Sequence, residues 1–341
     1  AGEGGEAGDD SIVSGEGHDT ISGGALASAA GAALADQDND AWFGGSAGND
    51  TIDADRGTNG DYGDEVAGDA MARSESAHAQ ANSTNDAVGN ASAGNDTIDG
   101  GEGDNALAGD AMAVSGATAT ADVDNTASNS GSAGDDVIYA GDDNDTISGG
   151  SQARATGDAS ASTDNLATGN NASAGNDDIY AYEGSDVIAG DAQALSSGAN
   201  ASAYGTNTAG DGGEGSHNTA GDDYITTQGD GADTISGGAQ AIAGGAAAAA
   251  YASEVTTADG GEGNRAGNDT IEAAGGDNVA AGDAQALGLG DGATAYAYSD
   301  NSADGFEGWA GNDEIHAYGG GDDISGDAQA ISDGDALAFS K

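Results

Sequence analysis

Two aspartates in the middle of the chain, Asp136 and Asp145, lie nine residues apart, each between a glycine-rich turn and an isoleucine. The isoleucines, Ile138 and Ile147, are also nine residues apart. A carboxylate held in such a turn is a hard oxygen ligand. The chain carries 61 acidic residues against five Lys and Arg, a formal net charge of −56. The pattern indicates binding of cations or of basic partners.

The composition narrows the class of protein. Such an acidic chain is a poor ligand for nucleic acid or an anionic membrane, and it has no apolar run long enough for membrane insertion. Because it has no Cys, disulfides and thiolate metal sites are excluded. With 64 Gly, no Pro and 4% aromatic residues, the metal-free chain is expected to lie near the disordered class.

One unit recurs along the whole chain. The pattern Gly-(Asn/Asp)-Asp-x-Ile, or a close variant of it, begins at eight glycines spaced 40 to 46 residues apart. They are Gly8, Gly48, Gly94, Gly134, Gly175, Gly221, Gly267 and Gly311. Residues 1–341 are therefore predicted to form a single repeat domain with an incomplete last unit.

The second half of each unit is rich in alanine. Tracts such as Ala117-x-Ala119-x-Ala121 alternate with period two, which favours strands over helices despite the helix propensity of Ala. The least regular segments, Asn82 to Asn90 among them, are predicted to be loops.

The segment Gly100 to Ala108, G-G-E-G-D-N-A-L-A, resembles the nonapeptide of repeats-in-toxin (RTX) calcium-binding proteins, G-G-x-G-x-D-x-U-x with U a large apolar residue. Gly45 to Asp53 and Ser14 to Ser22 each resemble it with one Gly missing. Gly permits the turn, Asp adds a carboxylate, and the apolar residue two places later faces the core.

The resemblance implies an all-β fold: a right-handed parallel β-solenoid, an RTX-like calcium roll, with about eight rungs of 40–46 residues and Ala-rich strands in each rung. It also implies Ca²⁺ ions between adjacent rungs, each bound by turns from both rungs, with two such turns in every rung. The first-turn ligands would be Asp10, Asp50, Asp96, Asp136, Asp177, Asp223, Asp269 and Asp313. The second-turn ligands would be Asp19, Asp64, Asn105, Asp145, Asp186, Asp233, Asn278 and Asp322.

The sequence departs from the family pattern in three ways. Each unit has 20 or more extra residues, which either widen the coil or form a side arm. Tyr62 and Asp143 replace a family Gly, so their sites are expected to be empty, and Asn105 and Asn278 lower the local charge. A third acidic set either completes the second-turn sites or consists of solvated turn residues. Its members are Asp69, Asp110, Asp191, Asp283 and Asp327.

These observations predict a secreted, calcium-binding structural protein of an extracellular filament, surface layer or matrix, and not an enzyme. The chain starts at Ala1 without Met, and its last unit stops at Lys341. Head-to-tail assembly with itself and ordinary trimming of a longer chain explain these ends equally well. A cell-surface polysaccharide is the other partner considered.

The alternative is a calcium-dependent adhesin or an ice-binding module. Ice binding needs a regular flat rank of Thr, and the sequence offers only a partial one. Its members are Thr20, Thr51, Thr97, Thr146, Thr234 and Thr270.

Overall fold

The chain folds as eight rungs built from five parallel sheets. The computed structural model describes residues 5–14, 18–54, 63–210, 216–229, 231–259, 262–303, 308–318, 320–332 and 334–341. Every regular element in these ranges is a strand, and each sheet contains eight strands. The predicted all-β parallel solenoid is confirmed, whereas its handedness stays a prediction.

Each rung contributes one strand to each sheet, and the sheets are numbered here in the order in which a rung passes through them. Sheet 1 contains Glu6–Ala7, Ser46–Ala47, Ser92–Ala93, Ser132–Ala133, Ser173–Ala174, Thr219–Ala220, Arg265–Ala266 and Trp309–Ala310. Sheet 2 contains Ser11–Val13, Thr51–Asp53, Thr97–Asp99, Val137–Gly141, Asp178–Ala181, Tyr224–Thr226, Thr270–Ala273 and Glu314–Ala317. Sheet 3 contains Thr20–Ser22, Glu65–Ala67, Ala106–Ala108, Thr146–Ser148, Val187–Ala189, Thr234–Ser236, Val279–Ala281 and Asp323–Ser325. Sheet 4 contains Ala25–Ala29, Ala70–Ser74, Ala111–Ser115, Ser151–Ala155, Ala192–Ser196, Gln240–Ala243, Ala284–Gly288 and Ala328–Ser332. Sheet 5 contains Ala33–Trp42, His78–Val88, Thr118–Ser128, Ala159–Thr168, Ala201–Ala209, Ala249–Ala258, Thr294–Ala303 and Ala336–Ser340.

The rungs stack in register, so that equivalent residues lie above one another. Ile98 pairs with Ile52 of the preceding rung and with Ile138 of the following rung. Because parallel strands are separated by about 4.8 Å, each sequence position becomes a column of side chains along the solenoid.

Two kinds of core fill the rung. Sheets 2 and 3 enclose a column of isoleucines, of which Ile98, Ile138 and Ile179 are fully buried. Sheets 4 and 5 meet through alanine methyl groups alone over most of their shared face. Because alanine side chains are short, overpacking of this layer by larger side chains would be destabilising.

The alanine-rich tracts form sheets 4 and 5 and therefore widen the coil; they are not a side arm. The prediction of a loop from Asn82 to Asn90 was wrong, because the strand His78–Val88 extends through most of it. Its inward residues alternate regularly and include Ser83 and Asn85, whose polar character concealed the strand.

A buried column of glutamines runs along sheet 4. Gln152 donates from Nε2 to Oε1 of Gln193 over 2.9 Å, and Gln193 donates to Gln240 over 2.9 Å. The column continues through Gln285 to Gln329. It begins at Gln152, because the equivalent residue of the preceding rung is Met112. Each amide thus ties two rungs together.

Candidate metal centre

The first turn of each rung holds its aspartate by a hydrogen bond between rungs. Oδ1 of Asp96 accepts from the main-chain N–H of Asp50 over 2.6 Å, and Oδ1 of Asp136 accepts from the N–H of Asp96 over 2.7 Å. The residue before the aspartate is bonded in the opposite direction: the N–H of Asn95 donates to Oδ1 of Asn49 over 3.1 Å. Every inner turn is therefore fixed to both of its neighbours.

The second carboxylate oxygen of this aspartate points into the solenoid. A Cβ on Gly68 would lie 1.9 Å from Oδ2 of Asp96 and 2.0 Å from the carbonyl oxygen of Gly109, so both oxygens converge beside Gly68. The same cradle recurs at the bend between sheets 3 and 4 in seven rungs. Its glycines are Gly23, Gly68, Gly109, Gly149, Gly190, Gly237 and Gly282.

The third acidic set lies at this bend, beside the first turn. Asp50, Asp69 and Asp96 form a buried group with one ligand oxygen from each within 4.8 Å of the others. Asp269, Asp283 and Asp313 repeat the arrangement in the last two rungs. In both groups the third set joins the first-turn aspartates, because the bend faces the first turn across the interior.

A column of asparagines on sheet 5 orients the third set. The Nδ2 atoms of Asn39 and Asn85 donate to Asp69 over 2.7 and 3.1 Å, and Ser83 donates to it over 2.8 Å. The asparagines also bond to one another, with Asn85 donating to Asn125 over 3.0 Å. Sequence reasoning missed this column. Its signal was an Asn nine residues before the turn glycine in the second, third and fourth units, as with Asn85 and Gly94.

Burial raises the pKa of these carboxyl groups. It raises the pKa of Asp50 to about 7, with a smaller contribution from the charge of Asp69. For Asp96, burial and then the charge of Asp69 raise the pKa well above its usual range. For Asp191 burial outweighs the amides of Asn207 and Asn165, and the pKa is about 7. The ionised groups are stable in this interior only if something neutralises them.

Several of the inward oxygens are without a hydrogen-bond partner among the described residues. They include Oδ2 of Asp96, Asp136 and Asp223, all almost fully buried. A buried carboxylate oxygen without a donor is costly, and a cation or a proton removes that cost.

The second turns form a separate column, in which the residue type changes the bonding. Asp145 and Asp186 have a buried Oδ2 without a partner in the described chain, and burial raises their pKa to about 9 and about 7. In contrast, the amide of Asn105 donates to the carbonyl of Ala140 over 3.1 Å. At Asn278 the amide bonds Ala274 over 3.0 Å. At these two positions an amide N–H lies against a backbone carbonyl oxygen, whereas an aspartate there would need a bound cation.

Two further positions in the second turns differ from this scheme. Asp233 accepts a hydrogen bond at Oδ2 from the hydroxyl of Thr227 over 2.6 Å. Asp143 takes a positive φ of 85°, the conformation for which the family uses Gly. Tyr62 lies outside the described residues.

The predicted ligands differ in burial between inner and outer rungs. The inner members of all three sets, from Asp50 to Asn278 and Asp283, are buried. Asp10 is exposed, and Asp19, Asp313, Asp322 and Asp327 are half-buried or nearly so, because only one neighbouring rung covers them.

The donor set fits calcium. Carboxylate and carbonyl oxygens converge at the bends, orphaned oxygens are buried there, and glycine keeps the space free of a Cβ. Ca²⁺ prefers six to eight hard oxygen ligands, whereas Zn²⁺ prefers nitrogen and sulfur. The groups that would hold it are the first-turn aspartates with the third set, and separately Asp145 and Asp186.

The fold and these sites define an acidic parallel β-solenoid with carboxylate columns between its rungs. A family model for the RTX calcium-binding nonapeptide repeat (4 copies) matches residues 5–25, 85–111, 130–153, 171–194 and 265–286. The chain therefore carries RTX calcium-binding nonapeptide repeats in these five segments. No curated protein and no solved structure matches it. In the part of the chain that the structure describes, no helix could cross a bilayer.

Proposed function

We propose that this chain is a secreted calcium-binding structural protein, and that calcium both folds the solenoid and allows solenoids to stack head to tail into an extracellular filament, layer or matrix. The observation that carries the proposal is the repeated inward carboxylate oxygen, unpartnered at Asp96, Asp136 and Asp223. A column of charges about 4.8 Å apart repels itself strongly unless cations lie between its members.

Each outer rung of the described chain leaves an apolar side chain uncovered. Leu26 of the first rung is 51% exposed and Ile324 of the last rung is 48% exposed, whereas their in-register neighbours Met71 and Ala280 are fully buried. A second copy placed in register would cover both. If the hydrogen-bond pattern of the first turns continued from one molecule to the next, the N–H of Asp313 in one copy would donate to the carboxylate of Asp10 in the following copy.

The test is removal of calcium from the full chain. Protein prepared in calcium is treated with EGTA under mild heating, and β-structure is followed by circular dichroism while particles are followed by negative-stain microscopy. We expect the β-signal and the filaments to be lost and then to return when calcium is added back. Magnesium and concentrated NaCl serve as controls, because both screen charge but neither matches the calcium ligand set. Filaments and β-structure that persist in EGTA would contradict the proposal.

A second candidate, adhesion to a polysaccharide, is favoured by tyrosines on the outer face of sheet 5. Tyr204 and Tyr251 are partly exposed with ring centroids 5.6 Å apart, and Tyr296 lies in register on the next rung. Flat aromatic faces stack on sugar rings. Replacement of these tyrosines by Ser should abolish co-sedimentation with insoluble polysaccharide if this surface binds it; unchanged sedimentation would exclude the surface.

Ice binding has less support. The Thr rank divides between two sheets, with Thr51, Thr97 and Thr270 on sheet 2 and Thr20, Thr146 and Thr234 on sheet 3. Neither sheet has the regular face that ice matching requires.

A further inference from the structure

At the bend where the third acidic set lies, a larger bend residue is matched by a smaller facing residue on sheet 5, and a smaller bend residue by a larger one. Where the bend carries Asp, the facing residue is small or aliphatic, and where it carries Gly, the facing residue is longer or branched and polar. The Asp pairs are Asp69 with Ser83, Asp110 with Val123, Asp191 with Gly205, Asp283 with Ser299 and Asp327 with Ser340. The Gly pairs are Gly24 with Gln37, Gly150 with Thr163 and Gly238 with Glu254.

Among the polar residues that face a glycine, Glu254 is the acidic one. Its side chain is 1% exposed and lies in space provided by two glycines. A Cβ on Gly205 would lie 1.8 Å from its Oε2, and a Cβ on Gly238 would lie 2.7 Å from the same atom. Both glycines are therefore needed to admit this carboxylate to the interior.

The surroundings of Glu254 match those of the third set. Its Oε1 accepts a hydrogen bond from Nδ2 of Asn207 over 2.9 Å, as Asp69 accepts from Asn85. Its Oε2 has no hydrogen-bond partner among the described residues. The charges that act on it most strongly are carboxylates, led by Asp191 and Asp283 of the adjacent rungs.

The bend beside Glu254 also carries a first-turn carboxylate, since Gly238 lies against Glu254 and the preceding Gly237 lies against Asp269. Asp269 acts on Glu254 electrostatically, as Asp69 acts on Asp96 in the group of three described above. Oδ2 of Asp269 and the carbonyl oxygen of Gly282 converge at the bend beside Gly237, each 2.1 Å from where a Cβ would be. Carboxylate oxygens of Glu254 and Asp269 thus lie beside two neighbouring glycines of the sixth rung, Gly238 and Gly237.

We propose that Glu254 supplies from sheet 5 the interior carboxylate that Gly238 lacks, and that with Asp269 it holds a calcium ion in the sixth rung. The inference rests on the proposed function, since it assumes that calcium occupies the interior column. It means that the carboxylate column continues from Asp191 through Glu254 to Asp283, although the bend sequence is interrupted. In the first and fourth rungs Gln37 and Thr163 are neutral, so the column is broken there.

The experiment counts calcium ions bound by the full chain, by equilibrium dialysis with metal analysis, and measures the thermal midpoint in calcium. E254Q, which keeps the side-chain volume, and E254S are each expected to bind one ion fewer than the parent chain and to melt at a lower temperature. The relocation variant G238D/E254S reproduces the Asp and Ser pairing of Asp69 with Ser83 and is expected to regain both the ion and the midpoint. T163S, at the same register in the fourth rung, should leave the count unchanged.

Each outcome separates this inference from the proposed function. If the parent chain binds no calcium, the proposed function fails together with this inference. If the parent chain binds calcium and E254Q retains the full count, the Glu254 site alone is overturned. If G238D/E254S folds, as judged by its circular dichroism, but stays one ion short, the carboxylate is not interchangeable between the two sheets and the inference is likewise overturned.

Discussion

The main-chain N–H of Asp50 donates to Oδ1 of Asp96 over 2.6 Å, although the two residues are 46 positions apart in the chain. This bond leaves Oδ2 of Asp96 directed at the bend beside Gly68, where it is without a partner in the described structure. One carboxylate thus joins two rungs and also offers an oxygen to a cation.

The effect of the substitution D96N on the free energy of unfolding should have opposite signs with and without calcium. In calcium the variant loses an anionic ligand, and we expect the free energy of unfolding to fall by about 1–3 kcal/mol, the usual cost of losing a charged interaction. Without calcium at alkaline pH the same change removes a buried charge and should be neutral or stabilising. Urea unfolding of both forms checks this. D291N, at an exposed position, should have little effect in either condition; an equal loss for D96N with and without calcium would contradict the assignment.

The pH dependence should invert when calcium is removed. Burial raises the pKa of Asp50 to about 7, of Asp313 to about 8 and of Asp145 to about 9, from 3.8 in the unfolded chain. Because the folded pKa values are raised, their contribution to stability is fully present below about pH 3.8 and is lost as the pH rises through 7 to 9. In calcium, protons compete with the ion, so stabilisation by calcium should grow over the same range. Thermal midpoints at about pH 5 and about pH 9, with and without calcium, check the inversion. Parallel pH profiles would count against it.

The second-turn asparagines should be convertible into calcium ligands. N105D removes the amide that bonds the carbonyl of Ala140 and places a carboxylate oxygen against it. Without calcium at alkaline pH this should cost about 1–3 kcal/mol, and with calcium the variant should bind one more ion. N144D, at an exposed second-turn position, is the control. An unchanged ion count for a folded N105D would show that this turn lacks the other ligands.

The glutamine column should tolerate loss of its first member better than loss of a middle one. Q240M leaves Oε1 of Gln285 without its donor while Oε1 of Gln152 stays unpartnered, so one more buried acceptor is orphaned. Q152M only moves the orphan to Gln193. We therefore expect Q240M to be less stable than Q152M by about 1–3 kcal/mol in urea unfolding. Equal stabilities would mean that the amides between rungs contribute little.

The sequence predicted the parallel solenoid because residues one repeat apart in the chain are the residues that pair between neighbouring rungs. Ile138 and Ile147 repeat with the turn glycines, and both prove to be buried between sheets 2 and 3. The alanine alternation likewise identified the strands of sheets 4 and 5. What failed was the assumption that polar residues mark loops, since Ser83 and Asn85 face inward within a strand.

The candidate site was only half visible in the sequence. The nonapeptide pattern located first-turn aspartates such as Asp96, but it gave no direction for their second oxygen. The convergence of Asp69 with Asp50 and Asp96 depends on how the extra strands fold back across the interior, which no local pattern encodes. Glu254 was missed for the same reason, because it lies on sheet 5 and takes the place of an aspartate that other rungs carry at the bend.

The buried amide columns have a direction. Asn39 donates to Asn85, Asn85 to Asn125, and Gln152 to Gln193, so in every case the donor belongs to the earlier rung and the acceptor to the later one. Two solenoids joined tail to tail would set donor against donor, whereas joining in a common orientation lets such bonds continue. Any fibre extended through these columns is therefore polar, with chemically distinct ends that should elongate at different rates.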